Sequence, residues 1–217
     1  MTTDQARFAR ARGQAVCFPG EVTALAGLRE PSAAAASDLA ALLAPGETTG
    51  LFLHARLQDA PALEALEEAE LLQLVYDAGA PTPAVGGQDD LVELGPADHA
   101  EMRALAALTQ PGPFGTRTHE LGAFLGIRVA GKLAAMAGQR LRVPGMIEVS
   151  AVCTHPDHLG QGYARRLTRA QVARIAGAGA TPFLGVRAIN ERALVIYQQL
   201  GFRVSRRFLY VVVRAAG

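Results

Sequence analysis

The chain has 217 residues, half of them apolar and 19% charged, with 21 basic against 20 acidic side chains for a formal net charge of +1. That length allows one large domain or two small ones with a sizeable core. The balanced charge, with arginines scattered rather than gathered in a run, gives no sign of a nucleic-acid or acidic-membrane partner, so neither is expected.

Residues 1–88 are alanine-rich and weakly patterned. "SAAAASDLAALLAPGE" predicts a helix with Ser32 as N-cap and Gly46, after Pro45, as its stop. "LFLHAR" (51–56) and "ELLQLVYD" (70–77) predict strands, flanking a short helix around "PALEALEEAE". The Gly- and Pro-rich stretch 78–90 predicts a linker. A small α/β N-terminal region, 1–88, is therefore expected to precede a larger unit, 89–217.

In that unit "LVEL" (91–94) predicts a strand and "PADHAEMRALAAL" (96–108) a helix with Pro96 in its first turn. Residues 109–122 predict loop, since prolines and glycines remove donors and backbone stiffness. Three strands follow, 123–129, 132–142 and 146–154, turned at Ala130-Gly131 and Pro144-Gly145 as an antiparallel meander. A helix over 162–176, a buried strand over 181–186, a helix over about 191–200 capped by Gly201, and one or two strands in "FRVSRRFLYVVVR" complete the chain. The expected fold is a mixed, mostly antiparallel α/β sheet with helices on both faces.

"THPDHLGQGYARRLTRA" (154–170) breaks the ordinary rule for a helix start. Such an end wants Ser, Thr, Asp or Asn at the cap and acids in the first turn, because its amides lack partners and its dipole end is positive. Here Gly160, Gln161, Gly162, Tyr163 and Ala164 lead into Arg165, Arg166 and Arg169. This composition suits an external anion, and a pyrophosphate fits best: glycines let backbone approach phosphate, amides point at its oxygens, and arginine adds charged bonds. An isolated Gly-x-Gly equally fits a bare turn beside solvated arginines. A Walker loop is excluded because no Gly-Lys-Ser/Thr follows, and a dinucleotide fingerprint fails for want of a third glycine and a downstream acid.

"VSAVCTHPDHLGQGYARRL" resembles the acyl-CoA signature of the GNAT superfamily of N-acetyltransferases, whose loop reads Q/R-x-x-G-x-G/A. "FLGVRAINERALVIYQQLGF" resembles that family's second signature through Asn190, Ala193, Tyr197, Gly201 and Phe202. The match covers roughly 90–217, with both motifs in order, and is most similar to the branch allied to glycine N-acyltransferase C-terminal domains. The resemblance implies a GNAT-like sheet, acetyl-CoA as acyl donor, no metal, and a small-molecule or peptide amine as acceptor. It further implies that Val152, Cys153, Thr154 and Asn190 hold the pantetheine arm and that Leu159, Gly160, Gln161, Gly162, Tyr163, Ala164 and Arg165 hold the phosphates. Leu159 stands where the family usually has Gln or Arg, which implies weaker phosphate binding, offset by Arg165 or Arg166.

Acyl transfer needs a neutral amine, and a lysine-type amine costs about 4 kcal/mol to deprotonate at neutral pH, against about 1 for an α-amine. Glu148 is the candidate base, directly or through water. Strand alternation puts it on one face with Met146, Ser150, Val152 and Thr154, opposite Ile147, Val149, Ala151 and Cys153. A carboxylate inside a covered strand needs a reason, the alternative being an ion pair with Arg140 or Arg142. Tyr197 is, by the resemblance, the acid facing the departing thiolate; otherwise it packs in the core between Leu194 and Leu200. Loop 109–120, with Phe114 as a wall, is expected to shape the acceptor pocket.

Cys17 and Cys153 are far apart and fit a reducing, cytoplasmic setting, with Cys153 buried rather than nucleophilic. The five histidines show no metal-ligand spacing. No apolar run of about 18 residues is present, the start lacks a signal-peptide pattern, and the Ala-, Gly- and Arg-rich composition without Trp points to a GC-rich bacterial genome. Residues 1–88 fit a degenerate copy of an acyltransferase half or a plain covering extension, and a homodimer is left open. The competing readings are a non-catalytic acyl-CoA-binding or regulatory module and a phosphate-binding domain for another nucleotide.

Overall fold

The computed structural model describes residues 3–77, 79 and 90–217, so the expected linker lies almost wholly outside the described residues. A helical turn α1 (Thr3–Ala6) precedes strands β1 (Arg10–Arg12), β2 (Ala15–Cys17) and β3 (Leu25–Leu28), then α2 (Ala33–Ala40), β4 (Thr48–Leu53) and β5 (Leu63–Tyr76). There follow β6 (Leu91–Leu94), α3 (His99–Thr109), β7 (Phe124–Val129), β8 (Lys132–Val143), β9 (Met146–Thr154), α4 (Tyr163–Gly177), β10 (Thr181–Arg187), α5 (Glu191–Gln199) and β11 (Phe202–Ala215).

Among the described residues these strands form one curled mixed sheet in the order β1-β2-β3-β4-β11-β5-β10-β9-β8-β7-β6. Leaving out the edge strand β6, the pattern of pairings is palindromic. From one edge the pairings run antiparallel, antiparallel, parallel, antiparallel through β1, β2, β3, β4 and β11. From the other side, starting one strand in from the edge strand β6, they repeat that series through β7, β8, β9, β10 and β5. Each parallel pair is joined by a crossover helix, α2 or α4, as parallel strands require. The two halves exchange their last strands: β5 lies beside β10, β11 lies beside β4, and β5 and β11 meet antiparallel at the centre.

Helix α2 covers Cys17, Leu51, Val211 and Val213, while α4 and α5 cover Leu72, Leu74, Leu184 and Phe202. Helix α3 packs Met102 and Leu105 against Phe124 and Met136 on the opposite face. Ser32 caps α2 as expected, accepting from the Ala35 amide at 3.2 Å, although the helix stops before Gly46. Ala130 and Gly131 both take positive φ, +47° and +79°, the turn geometry that matches strand twist.

Two expectations are corrected. The helix anticipated around 61–70 is instead the first half of β5. Its glutamates have high helix propensity, but in the strand Glu64 pairs with Arg214 at 2.8 Å and Glu67 with Arg187 at 2.6 Å, and Glu68 and Glu70 pair with Arg56 and Arg207. Cross-strand pairing outweighs local preference. The second correction concerns β9, whose alternation is broken. Ser150 opposes Gly138 while Cys153 opposes Met136, so β9 carries one extra residue, and Ala151 sits at φ +50°. Past this bulge Ala151 and Cys153 pack with Met102 and Leu105 on the α3 side, whereas Ile147 and Val149 pack with Val172 and Ile175 of α4.

The loop after α3 is clamped to the N-terminal half. The Arg117 amide donates to Glu21 O at 2.6 Å, Thr118 Oγ1 donates to Val22 O at 2.6 Å, and the Arg117 guanidinium pairs with Glu21 at 2.8 Å. A Cβ on Gly115 would lie 2.3 Å from Glu21 O. Gly115→Ala is therefore expected to cost about 1–3 kcal/mol by overpacking. Urea unfolding checks this, a lowered midpoint at unchanged slope being the expected result.

Candidate active site

Strands β9 and β10 pair only from Met146↔Thr181 to Glu148↔Phe183 and then separate. β10 stays in the sheet because its other edge pairs with β5 from Phe183 to Arg187. The β9 edge that faces β10 is left without a strand partner beyond Glu148, and unpaired peptide groups of this kind can take an extended chain as an added strand. A cleft of about 720 Å³ opens there. Its walls are Val149–Thr154 of β9, Gly185–Arg187 of β10, and Asn190, Ala193 and Tyr197 at α5. Its floor carries Arg140, Glu148, Phe52, Leu71 and Tyr210.

Beyond Thr154 the chain makes a short turn (Pro156–His158) and reaches the start of α4. Gly160 and Gly162 have φ of +81° and +74°, which a side chain would strain, and the space around both is open. Gly162 is the N-cap, no side chain caps the helix, and no acid lies in the first turn. The first amides of α4 are therefore free of side-chain partners, the condition for anion binding. The topologically equivalent α2 differs, since the Ser32 hydroxyl closes its own helix end. Residues 160–164 sit at this start as expected, with Leu159 exposed beside them. Arg165 reaches across to Gln199 Oε1 of α5, Arg166 pairs with Asp90, and Tyr163 packs against the α4 side of the sheet.

Glu148 is buried, with 3% of its surface exposed, and it meets Arg140 in a two-pronged pair. Arg140 Nε donates to Oε2 at 2.9 Å, Nη2 donates to Oε1 at 2.8 Å, and the Leu141 amide adds a bond to Oε2 at 3.2 Å. This is the ion-pair alternative to a free base, with Arg140 and not Arg142 as partner; Arg142 donates to Gln139. The pairing carboxylate raises the Arg140 pKa against the opposing effect of burial. Oε2 is fully engaged, whereas Oε1 keeps one acceptor position.

Tyr197 lies on the cleft wall, its ring edge-on to Phe202 at 6.1 Å, and its hydroxyl has no hydrogen-bond partner among the described residues. Burial pushes its pKa up to about 12, with a smaller contribution from Cys153. The Cys153 thiol is likewise pushed up to about 11 by burial, so it is a neutral packing group at ordinary pH. Asn190 does two things: its Oδ1 caps α5 through the Ala193 amide at 3.1 Å, and it lines the cleft.

Phe114 packs edge-on to Phe124 at 5.8 Å and against α3. It lines a second concavity of about 640 Å³ that shares Gln110, Gly112 and Pro113 with the cleft, whose own rim is Thr109–Pro113. The sequence reading also missed the floor contributed by the N-terminal half and β11. Leu25, Phe52, Glu67 and Leu71 reach the cleft only because strands distant in sequence are exchanged. Two glycines hinted at close approaches: a Cβ on Gly50 would meet the Tyr210 hydroxyl at 2.4 Å, and one on Gly185 would meet Leu71 at 2.9 Å.

Residues 124–211 match the family described as FR47-like protein. Over 98% of its length the chain is 34% identical, with a TM-score of 0.90, to a protein from Novosphingobium aromaticivorans assigned to the GNAT family of acetyltransferases, 93% of which is covered. The chain belongs to the GNAT family. More distant solved structures share the GNAT fold alone. A GCN5-related N-acetyltransferase from Kribbella flavida is 18% identical at TM-score 0.61, with 99% of this chain and 94% of that one covered. One from Sphaerobacter thermophilus is 13% identical at 0.57, with 94% and 78% covered. No curated protein matches the chain. Among the described residues no helix is long and apolar enough to cross a membrane, and no group of three or more potential metal ligands occurs.

The raised Tyr197 pKa has a signed consequence. The phenol ionises near ~10 in the unfolded chain and near 12 in the folded protein, so its stabilising contribution is intact below the first value and lost as pH rises toward the second. Wild-type stability should fall more steeply across that window than that of Tyr197→Phe. Denaturant unfolding at stepped alkaline pH checks this, and equal slopes would mean that the hydroxyl is solvated.

Proposed function

We propose that the protein is an acetyl-CoA-dependent N-acetyltransferase that transfers the acetyl group directly to a primary amine of a small molecule or peptide. The observation that carries the reading is the conjunction of two unsatisfied features on one side of the sheet: the glycine-hinged, uncapped start of α4 and the open β9 edge. A ligand with a pyrophosphate and an extended amide-bearing arm satisfies both. In this reading amides of 160–164 take the phosphates, Val152, Cys153, Thr154 and Asn190 take the arm, and acetyl-CoA supplies an activated acyl group.

Glu148 then receives the amine proton at Oε1, directly or through one water, while Arg140 holds the carboxylate in place. Tyr197 faces the thiolate side, where its neutral, unpartnered hydroxyl donates to the leaving sulfur. Most of the acceleration is assigned to positioning of two substrates in one cleft. Residues 1–88 are assigned to a degenerate copy of the same half, as in the glycine N-acyltransferase-like branch. Support comes from the palindromic pattern of pairings and from the self-capped α2, which has closed its own anion site. The protein is placed in a bacterial cytoplasm. A second reading, a non-catalytic acyl-CoA-binding module, is favoured by one observation, that both Glu148 oxygens are already engaged.

Calorimetric titration with acetyl-CoA, with ATP as control, tests the donor. Wild type should bind acetyl-CoA saturably. Gly162→Glu should weaken binding at least about tenfold, because its carboxylate would cap the α4 amides itself and repel phosphate. Absence of wild-type binding in folded protein would sink the reading. Where an amine supports turnover, Tyr197→Phe should lower kcat by about 10- to 100-fold, and binding without any turnover would select the second reading.

A further inference from the structure

We propose that Gln5 is a positioning residue for the Arg140–Glu148 pair, so that the first turn of the N-terminal half is part of the machinery of the cleft. The inference rests on the reading of that cleft as the acyl-transfer site. Gln5 is 2% exposed, and its carboxamide makes three bonds to backbone far away in sequence. Its Nε2 donates to Arg140 O at 2.5 Å and to Leu121 O at 3.3 Å, and its Oε1 accepts from the Arg142 amide at 2.9 Å.

These bonds fall where β8 has lost its neighbours. On one edge, pairing with β7 ends at Gly138. On the other, Gln139 opposes Val149 and Arg142 opposes Ile147, so Arg140 and Leu141 bulge out together opposite Glu148. A carboxamide has the donor and acceptor of a peptide group, and Gln5 stands in for the missing strand by serving residues 140 and 142 at once. From inside the bulge the Glu148 carboxylate takes the Leu141 amide and the Arg140 fork. The segment 140–142 is thus gripped between two side chains, Gln5 outside and Glu148 inside. The third bond ties in Leu121, at the end of the loop whose beginning, Thr109–Pro113, forms the cleft rim. With the outer grip removed, the bulge is free to shift and the guanidinium fork to leave the carboxylate it aims.

The test uses the full chain and follows thiol release from acetyl-CoA with a panel of free amino acids and alkylamines. Gln5→Met keeps the volume and removes the bonds. Its KM for acetyl-CoA should stay within about twofold, since Gln5 bonds none of the residues assigned to the donor, while kcat falls by about 10- to 100-fold. Gln5→Glu keeps an acceptor for the Arg142 amide but sets a carboxylate oxygen against two carbonyls. Protonation restores the donor, and burial among carbonyls favours the protonated form. Its kcat relative to wild type should therefore recover as pH is lowered from about 8.5 to about 6, which a general loss of packing would not produce. Wild-type kcat in Gln5→Met, or a pH-independent ratio for Gln5→Glu, overturns the inference. Equal loss of acetyl-CoA binding and kcat in both variants also overturns it. If wild type releases no thiol with any amine, the acyl-transfer reading itself fails, and the inference falls with it.

Discussion

Strand β10 has two edges, and the architecture turns on what occupies each of them. Over its first three residues one edge belongs to β9, and over its last five the other belongs to β5. The second pairing lets β10 leave β9 without becoming an open edge on both sides, which a sheet interior does not tolerate. The cleft is the wedge left by that departure. Because β5 comes from the N-terminal half and β11 from the C-terminal half, the floor of the wedge is shared between them. The N-terminal half is consequently not an appendage whose removal would leave the cleft intact.

The two halves repeat a strand order but not a chemistry. Helices α2 and α4 occupy the same place, each crossing between parallel strands. One begins with a serine whose hydroxyl accepts from the third amide, and the other with a glycine in the left-handed region and no cap. A serine cap stabilises a helix by about 1 kcal/mol relative to alanine, so α4 forgoes a stabilisation that α2 takes. In the proposed function the ligand supplies the bonds that α4 forgoes. Local strain follows the same distribution: Ala151, in the left-handed region without being glycine, lies in the cleft wall.

The C-terminal strands and helices were legible because their signals are local: alternation, turn pairs such as Ala130-Gly131, and a helix start with the wrong cap. The glycine loop was legible for the same reason, whereas Tyr197 was singled out only by the resemblance of 190–202 to a family signature. What stayed hidden was non-local. Residues 61–70 carry a helical composition, and only partners more than a hundred residues away, Arg187, Arg207 and Arg214, make them a strand. The bulge in β9 shifts Cys153 to the other face without leaving a mark in the residue types around it. Phe114 was legible as a loop aromatic, but its packing on α3 and Phe124 depends on β7 and could not be read from the loop itself. Gln5 carries no local signal for its role, since every hydrogen-bond partner of its side chain lies beyond residue 120.

The Arg140–Glu148 pair is the least economical feature of the core. Its side chains are 11% and 4% exposed, and a pair so buried recovers its desolvation cost only if every remaining donor and acceptor is served. On the Glu148 side the Leu141 amide completes Oε2, while Oε1 keeps one acceptor position in a residue that lines the cleft. An apolar pair of equal volume would stabilise the sheet at least as well, so stability does not explain why charges are kept there. In the proposed acyl transfer a fixed charge next to the amine explains it, because a carboxylate already oriented by a guanidinium and a backbone amide needs no reorganisation when a proton arrives. That economy would hold only while the bulge keeps its shape, so in the proposed reaction the outer support of residues 140–142 matters as the carboxylate does.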